Sequence, residues 1–171
     1  IGSSLVGSEM CIRDSSSKSG VADHAFENDV EALLQLRRFI DFLPASNREK
    51  APEWETTDPI ERSEPSLNTL VPKNANKPYD MKELIVKIID EGDFFELQPN
   101  FAANIIIGFA RVQGSTIGVI ANQPMVLAGC LDIDSSKKAA RFVRFCDCFN
   151  IPILTLVAVS YTHLRAHETR T

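Results

Sequence analysis

Histidine and cysteine are the residues of this sequence whose spacing could bind a metal. His163 and His167 are four positions apart, so on a helix they would share one face, as a pair of zinc ligands does. Beyond the first 15 residues the cysteines are Cys130, Cys146 and Cys148. Their odd number and the close spacing of the last two fit neither a disulfide framework nor a zinc site, so free thiols are expected.

The two ends of the chain are related to each other through their coding DNA. Residues 5–14 can be encoded by an adapter-type DNA sequence whose reverse complement encodes residues 159–168. Two natural termini would almost never have this relation. We therefore expect segments 1–15 and 158–171 to be non-native, adapter-derived peptide, which is set aside before the fold is considered. His163 and His167 fall in the second segment, so no metal site is expected.

Other sequence signatures of function are missing from the remaining residues. They contain no GxGxxG, no phosphate-binding loop and no nucleophile beside an evident base. The net charge of −5, without a basic stripe, argues against a nucleic-acid partner. Apolar runs stay far below the roughly 20 residues of a membrane span, so no membrane association is expected. Composition alone predicts a globular piece of unknown role.

The first part of the chain predicts one helix followed by a linker. Asn28 and Glu31 form a capping pattern, and apolar residues at helical spacing predict a helix from Asp29 to Leu43. Six of the nine prolines lie between positions 44 and 78, which is typical of an extended connection between domains. Trp54 is expected to anchor this linker. The predicted division is 16–64 for the first domain end with its linker and 65–157 for the second domain.

The second part predicts alternating helices and strands. One helix follows the cap Asp80 and ends at Gly92, and another begins at Asp134 or Ser135 and closes near Asn150. The predicted strands are 94–98, 104–112, 116–121 and 153–157. A tight turn at 113–114 makes the middle two strands a hairpin. A helix between strands in one sheet implies a right-handed crossover, so the fold class is α/β.

Several ordered blocks of the sequence resemble a known family. The blocks are Ser19–Ala22, Ala25–Asp29, Asn104–Arg111, Asn122–Pro124, Gly129–Ile133 and Ala140–Asp147. Together they are similar to biotin-dependent acyl-CoA carboxyltransferases, and most to the beta chains of propionyl-CoA carboxylases. The resemblance implies a crotonase-like (ClpP/crotonase) carboxyltransferase fold. It also implies that the fold is incomplete, with the end of the N-terminal domain and the start of the C-terminal domain.

The same resemblance implies a reaction. The family transfers a carboxyl group from carboxybiotin to an acyl-CoA, here expected to be propionyl-CoA, which gives methylmalonyl-CoA. Two oxyanion holes of backbone N–H groups stabilise the developing charges, and the biotin oxyanion serves as the base. The glycine-rich loops that form these holes are expected before Ser19 and beyond Val157. No catalytic residue is therefore assigned, and the 171-residue chain alone is expected to be inactive.

Only pocket-lining candidates remain in the sequence. On the biotin side they are Asn122, Gln123, Pro124, Gly129, Cys130 and Leu131, although a simple turn at 122–124 and a loop glycine explain these residues equally well. On the acyl-CoA side they are Ser19 and Gly20. Many family members have histidine where this chain has Asp23. The following His24 is interpreted as a surface or capping residue.

The resemblance also implies partners and a compartment. Biotin is expected on a carrier domain of a biotin carboxylase alpha subunit, other beta subunits are expected in an oligomeric core, and no metal is expected in this subunit. The compartment is the bacterial cytoplasm or the mitochondrial matrix. The alternatives are a carboxyltransferase for methylcrotonyl-CoA or acetyl-CoA, a methylmalonyl-CoA decarboxylase, and a truncated binding or structural piece without catalysis.

Overall fold

In a computed structural model, residues 17–72, 74 and 77–158 of the chain are described. The helices are α1 (Asp29–Ile40), α2 (Leu67–Leu70), α3 (Met81–Ile88) and α4 (Ile133–Cys148). The strands are β1 (Phe95–Leu97), β2 (Ile105–Val112), β3 (Ser115–Asn122) and β4 (Ile153–Leu156). Of the two segments predicted to be adapter-derived, only Ala158 lies within the described residues.

The four strands form one mixed sheet in the order β1-β2-β3-β4. β1 pairs with β2 and β2 with β3 in antiparallel fashion, whereas β3 and β4 are parallel. Parallel neighbours need a crossover connection, and α4 supplies it between β3 and β4. The predicted strand–helix–strand unit and the α/β class are confirmed.

Strand β2 is buried on both faces of the sheet, which explains its unbroken apolar sequence. On one face, Ile105, Ile107 and Phe109 share a core with Phe142 and Cys146 of α4. On the other face, the core contains Ile106 and Ala110 of β2 with Met81, Ile85 and Ile89 from the α3 region. The sheet is therefore the middle layer between α3 and α4.

The hairpin between β2 and β3 turns where the sequence predicts it. Gln113 and Gly114 both have left-handed backbone angles, with φ of 52° and 75°, as a two-residue hairpin turn requires. The Asp90 carboxylate accepts the N–H groups of Gln113 and Gly114 at 3.1 and 2.7 Å. The backbone N–H of Trp54 donates to the Gly114 carbonyl at 3.0 Å, so the linker is attached to the hairpin at this residue. The Trp54 ring is 52 % exposed and lies 5.0 Å from the Arg111 guanidinium, and its anchoring role stays a prediction.

Three predicted helix boundaries are wrong. Helix α1 ends at Ile40 rather than Leu43. The chain turns after Ile40 because the Phe42 side chain is fully buried in the core against the sheet. Helix α3 ends at Ile88 rather than Gly92, since Ile89 is extended and a short 3₁₀ turn follows. Helix α4 is capped by Asp132, whose side chain accepts the N–H of Ser135 at 2.8 Å.

Helix α1 keeps a broad apolar face exposed. Five of its six large apolar residues are each at least 50 % exposed: Val30, Leu33, Leu34, Leu36 and Ile40. The sixth, Phe39, packs against the core. Within the described part of the chain, no element covers this face. The described residues therefore supply no packing surface for this face. The predicted division into domains 16–64 and 65–157 stays a prediction.

Candidate functional site

A cavity of about 380 Å³ opens where the carboxyl ends of β3 and β4 meet. Ligands of open α/β sheets commonly bind at this edge, outside the ends of parallel strands. Three of the predicted biotin-side residues, Asn122, Gly129 and Leu131, line the cavity. Ile105, Ile120 and Thr155 contribute to its walls. The predicted residues are thus partly brought together in one place.

The amide of Asn122 connects the two sides of this cavity. Its Nδ2 donates to the carbonyls of Gly129 at 3.2 Å and Ala158 at 2.8 Å. Its Oδ1 accepts the N–H of Ala158 at 2.7 Å. One side chain therefore fixes the end of β3, the turn at Gly129 and the chain that leaves β4.

The turn Leu127–Gly129 forms the outer wall with an uncommon backbone. Leu127, Ala128 and Gly129 all have positive φ, at 49°, 52° and 76°. A Cβ on Gly129 would lie 2.7 Å from the Asn122 Nδ2, so a side chain there would displace the amide. Strained turns of this kind persist only where the surrounding structure holds them, and they are frequent at binding sites.

The other three predicted biotin-side residues lie outside the cavity lining. Gln123 is buried and holds the start of α3, since its Oε1 accepts the Met81 N–H at 3.1 Å and its Nε2 donates to Asp80 Oδ1 at 2.7 Å. Pro124 is buried beside it. The exposed Cys130 contributes its carbonyl, which accepts from Asn104 Nδ2 at 2.9 Å.

The predicted acyl-CoA-side residues lie against the loop between β1 and β2. The Gly20 carbonyl accepts from Gln98 Nε2 at 2.7 Å and from Arg141 at 3.2 Å. Gly20 has a φ of 62°, and a Cβ there would lie 2.5 Å from the Phe101 ring. Glycine is therefore required at this position. Ser19, next to it, is exposed.

His24 is not the surface or capping histidine that its sequence position predicts. Its ring stacks on Phe26 and packs against Phe95, with centroids 5.4 and 5.2 Å apart. Its Nε2 is buried without a hydrogen-bond partner among the described residues. Burial lowers the pKa of His24, and the nearby Asp23 and Glu96 offset this only in part.

The half-buried ring of His24 predicts a loss of stability in mild acid. The unfolded chain takes up a proton near the ordinary pKa of about 6.5, whereas the folded chain resists protonation to lower pH. Stability is therefore fully present above pH 6.5 and falls as the pH drops through and below that value. Melting temperatures measured between pH 7.5 and 5 should show this fall. His24→Phe, which keeps the ring but not the titration, should weaken the fall. An unchanged pH slope in this variant would contradict the assignment.

The side chains of the described residues that could bind a metal or react as thiols are scattered. No cluster of histidine, cysteine and carboxylate side chains suited to a metal is found within residues 17–72, 74 and 77–158. His163 and His167 lie outside the described residues. Cys146 is buried, which raises its pKa to about 12, while Cys130 and Cys148 are exposed.

No described helix is long and apolar enough to cross a membrane.

The cavity suits binding rather than proton transfer. The described residues that line it carry no titratable side chain, and most of them are apolar. Its polar features are the Asn122 amide, the Thr155 hydroxyl and backbone groups. Such a surface can hold and orient a small, mainly apolar ring that carries a few hydrogen-bonding atoms.

Comparison with known proteins identifies the family. The model of the carboxyl transferase domain matches residues 8–160, so the chain belongs to the carboxyl transferase domain family. It is 70 % identical over 142 residues to a propionyl-CoA carboxylase beta chain of Cereibacter sphaeroides, covering 83 % of this chain and 28 % of that protein. Identity is 55 % over 141 residues to the mitochondrial beta chain of Homo sapiens, covering 82 % and 26 %.

Two further relatives extend this comparison. A methylmalonyl-CoA decarboxylase subunit alpha of Veillonella parvula is 48 % identical over 162 residues, covering 91 % of this chain and 32 % of that protein. The structure of transcarboxylase 12S superimposes with a TM-score of 0.83 at 40 % identity, covering 85 % of this chain and 28 % of that one. The expected crotonase-like carboxyltransferase fold is confirmed. The chain spans about a third or less of the length of these relatives.

Proposed function

We propose that this chain is part of the carboxyltransferase (beta) subunit of a propionyl-CoA carboxylase. The reaction transfers a carboxyl group from carboxybiotin to propionyl-CoA and gives methylmalonyl-CoA. The observation that carries this proposal is the 70 % identity, over 83 % of the chain, to the Cereibacter sphaeroides beta chain.

The residues at the cavity fit the ureido bicycle of biotin. A cavity of about 380 Å³ with mainly apolar walls suits a small ring system, and Asn122, Gly129 and Leu131 would hold it. Biotin, when bound, supplies the transferable carboxyl group. The chain's own contribution is orientation: Asn122 fixes the turn at Gly129 and the end of β4, so the walls keep their shape.

The proposal includes partners and a compartment. Biotin reaches the site on the carrier domain of a biotin carboxylase alpha subunit, and other beta subunits complete the core. The transcarboxylase 12S relative is described as a hexamer assembly with methylmalonyl-coenzyme A bound, which supports an oligomeric core and an acyl-CoA substrate. Relatives from bacteria and from a mitochondrion support the bacterial cytoplasm or the mitochondrial matrix.

A methylmalonyl-CoA decarboxylase is the second candidate. The Veillonella parvula relative favours it with 48 % identity over 91 % of this chain. The two reactions share an acyl-CoA and biotin but run in opposite directions between carboxylated and free acyl-CoA. The higher identity to propionyl-CoA carboxylase beta chains decides for the first candidate.

The function is tested with the full-length chain that contains residues 16–157, assembled with its biotinylated partner. Incorporation of labelled bicarbonate in the presence of ATP is measured with propionyl-CoA, acetyl-CoA and methylcrotonyl-CoA. We expect the highest kcat/KM with propionyl-CoA. Release of CO₂ from methylmalonyl-CoA, without ATP-dependent incorporation, would establish the decarboxylase instead. The absence of both reactions would refute the proposed chemistry.

A further inference from the structure

Lys138 of α4 is a buried charge that the proposed reaction does not yet use. Its side chain is 3 % exposed, which is rare for lysine. Its Nζ donates to four carbonyls of the loop between β1 and β2: Gln98 at 2.9 Å, Phe101 at 2.7 Å, Ala102 at 3.3 Å and Ile105 at 2.9 Å. Burial lowers the pKa of Lys138 to about 8, so the amine is still mostly protonated at neutral pH.

The loop from Gln98 to Ile105 needs such a partner. Gln98 and Ala102 have positive φ, at 51° and 44°, although neither is glycine. Backbone of this kind persists only when neighbouring groups hold it. The ammonium group has three protons for four carbonyls, so it satisfies acceptors along the whole loop at once. The Gln98 and Ala102 carbonyls also accept backbone N–H groups within the loop, from Phe101 at 3.2 Å and Ile105 at 3.1 Å. Loss of Lys138 would therefore weaken the bonding of these carbonyls and remove the charged donor from the Phe101 carbonyl.

One end of the loop contacts the predicted acyl-CoA-side segment. Gln98 donates from its side chain to the Gly20 carbonyl at 2.7 Å and from its backbone to the Asp23 carbonyl at 3.0 Å. The Phe101 ring lies directly against Gly20. Arg141, one helical turn after Lys138, also donates to the Gly20 carbonyl at 3.2 Å. The position of Gly20 therefore depends on the shape of this loop.

The other end of the loop contacts the cavity at the sheet edge. Ile105 lines the cavity itself. The backbone carbonyl of Asn104 accepts the N–H of Gln123 at 2.9 Å. The side-chain Nδ2 of Asn104 donates to the Cys130 carbonyl at 2.9 Å. The loop that Lys138 holds thus begins beside one predicted subsite and ends beside the other.

We infer that Lys138 is a positioning residue that fixes the placement of both the Gly20 segment and the biotin-side cavity through the Gln98–Ile105 loop. This inference rests on the proposed carboxyltransferase function for its kinetic consequence. The charged groups that face Lys138 across the loop and groove are Glu96, Lys82, Asp23 and Arg141. None of them replaces its bonds to the four carbonyls, so its removal changes both ends of the loop together.

The test compares Lys138→Met with Lys137→Met in the full-length subunit assembled with its partner. Lys137 is the matched control, because it is adjacent, has a side chain that is 73 % exposed, and forms an ion pair with Asp134 at 3.8 Å. Lys138→Met should raise KM for propionyl-CoA in the forward reaction by roughly tenfold or more. In the reverse reaction without ATP, where methylmalonyl-CoA gives its carboxyl group to free biotin, it should raise KM for biotin by a similar factor. Lys137→Met should leave both constants within about twofold of the wild type.

Other outcomes separate a positioning role from a structural one. A lower melting temperature with unchanged kcat and KM in the assembled Lys138→Met enzyme would overturn the inference. If this variant fails to assemble, Gln98→Met is used instead. It removes only the side-chain bond to Gly20, so it should raise KM for propionyl-CoA and leave KM for biotin unchanged. No change in either constant would overturn the inference.

A failure of the proposed function is recognised separately. If the wild-type enzyme carboxylates none of the acyl-CoAs, hydrogen exchange of the backbone amides replaces the kinetics. The amides of Gln98, Phe101, Ile105 and Gln123 should then exchange faster in Lys138→Met than in Lys137→Met. Equal exchange in the two variants would show that Lys138 does not hold the loop.

Discussion

Replacing Phe109 with alanine is expected to lower the free energy of unfolding by about 3 to 5 kcal/mol. Phe109 is completely buried at the centre of β2. Its ring lies 5.1 to 6.1 Å, between centroids, from four other aromatic rings: Phe39, Phe42, Phe142 and Phe145. These rings come from the end of α1 and from α4, so the cavity left by alanine would separate three elements. Their backbones restrict any collapse that could fill it.

The measurement is urea unfolding of the wild type and two variants, followed by far-UV circular dichroism. Phe26→Ala is the control, because Phe26 is 37 % exposed and its ring contacts mainly His24. We expect the control to cost less than about 1 kcal/mol. Equal losses for the two variants would mean that the aromatic cluster does not stabilise the fold as a unit.

The hairpin and the crossover helix are the parts of the fold that the sequence predicts well. β2 and β3 were predictable because their long β-branched runs are joined by Gln113 and Gly114, whose types select the turn. The crossover helix α4 was predictable from its apolar period and from the strand that follows. Local sequence determines the position and type of these elements, and tertiary packing does not change them.

Helix ends were predicted less well because tertiary contacts decide them. The apolar period of α1 continues to Leu43, but the helix ends at Ile40 because Phe42 is buried in the core. Asp132, Asp134 and Ser135 can all cap a helix, and only the reciprocal bonds between Asp132 and Ser135 select the first. Competing caps within four residues are not distinguished by residue type.

The candidate site shows a similar division. The resemblance led to Asn122, Gly129 and Leu131 at the cavity, but it could not separate them from Gln123, which holds α3 instead. Thr155 and the end of β4 were missed, although parallel strands that end at one edge are a usable signal. Lys138 was also missed. It shares a helix face with Phe142 and Cys146 at four-residue spacing, and that period marks it as buried.

Asn122 supplies the prediction with the largest expected effect on the site. Asn122→Leu keeps the approximate volume of the side chain but removes its three hydrogen bonds to Gly129 and Ala158. The peptide groups left unpaired should cost about 1 to 3 kcal/mol of stability. The turn at Leu127–Gly129 would also lose the contact that holds its left-handed backbone. In the assembled full-length enzyme we expect KM for free biotin to rise by roughly tenfold, with a smaller change for propionyl-CoA.

Two further variants decide whether the hydrogen bonds or the volume of Asn122 matter. Asn122→Asp keeps an acceptor for the Ala158 N–H but places a carboxylate against the carbonyls of Gly129 and Ala158. It should therefore impair biotin binding at least as much as leucine does. Asn68→Leu, at an exposed position of α2, controls for the exchange of asparagine for leucine and should leave both KM values unchanged. Wild-type KM for biotin in both Asn122 variants would mean that the cavity is not the biotin side of the enzyme. Impairment by leucine alone would mean that the cavity needs a polar group there but not the donors of the amide.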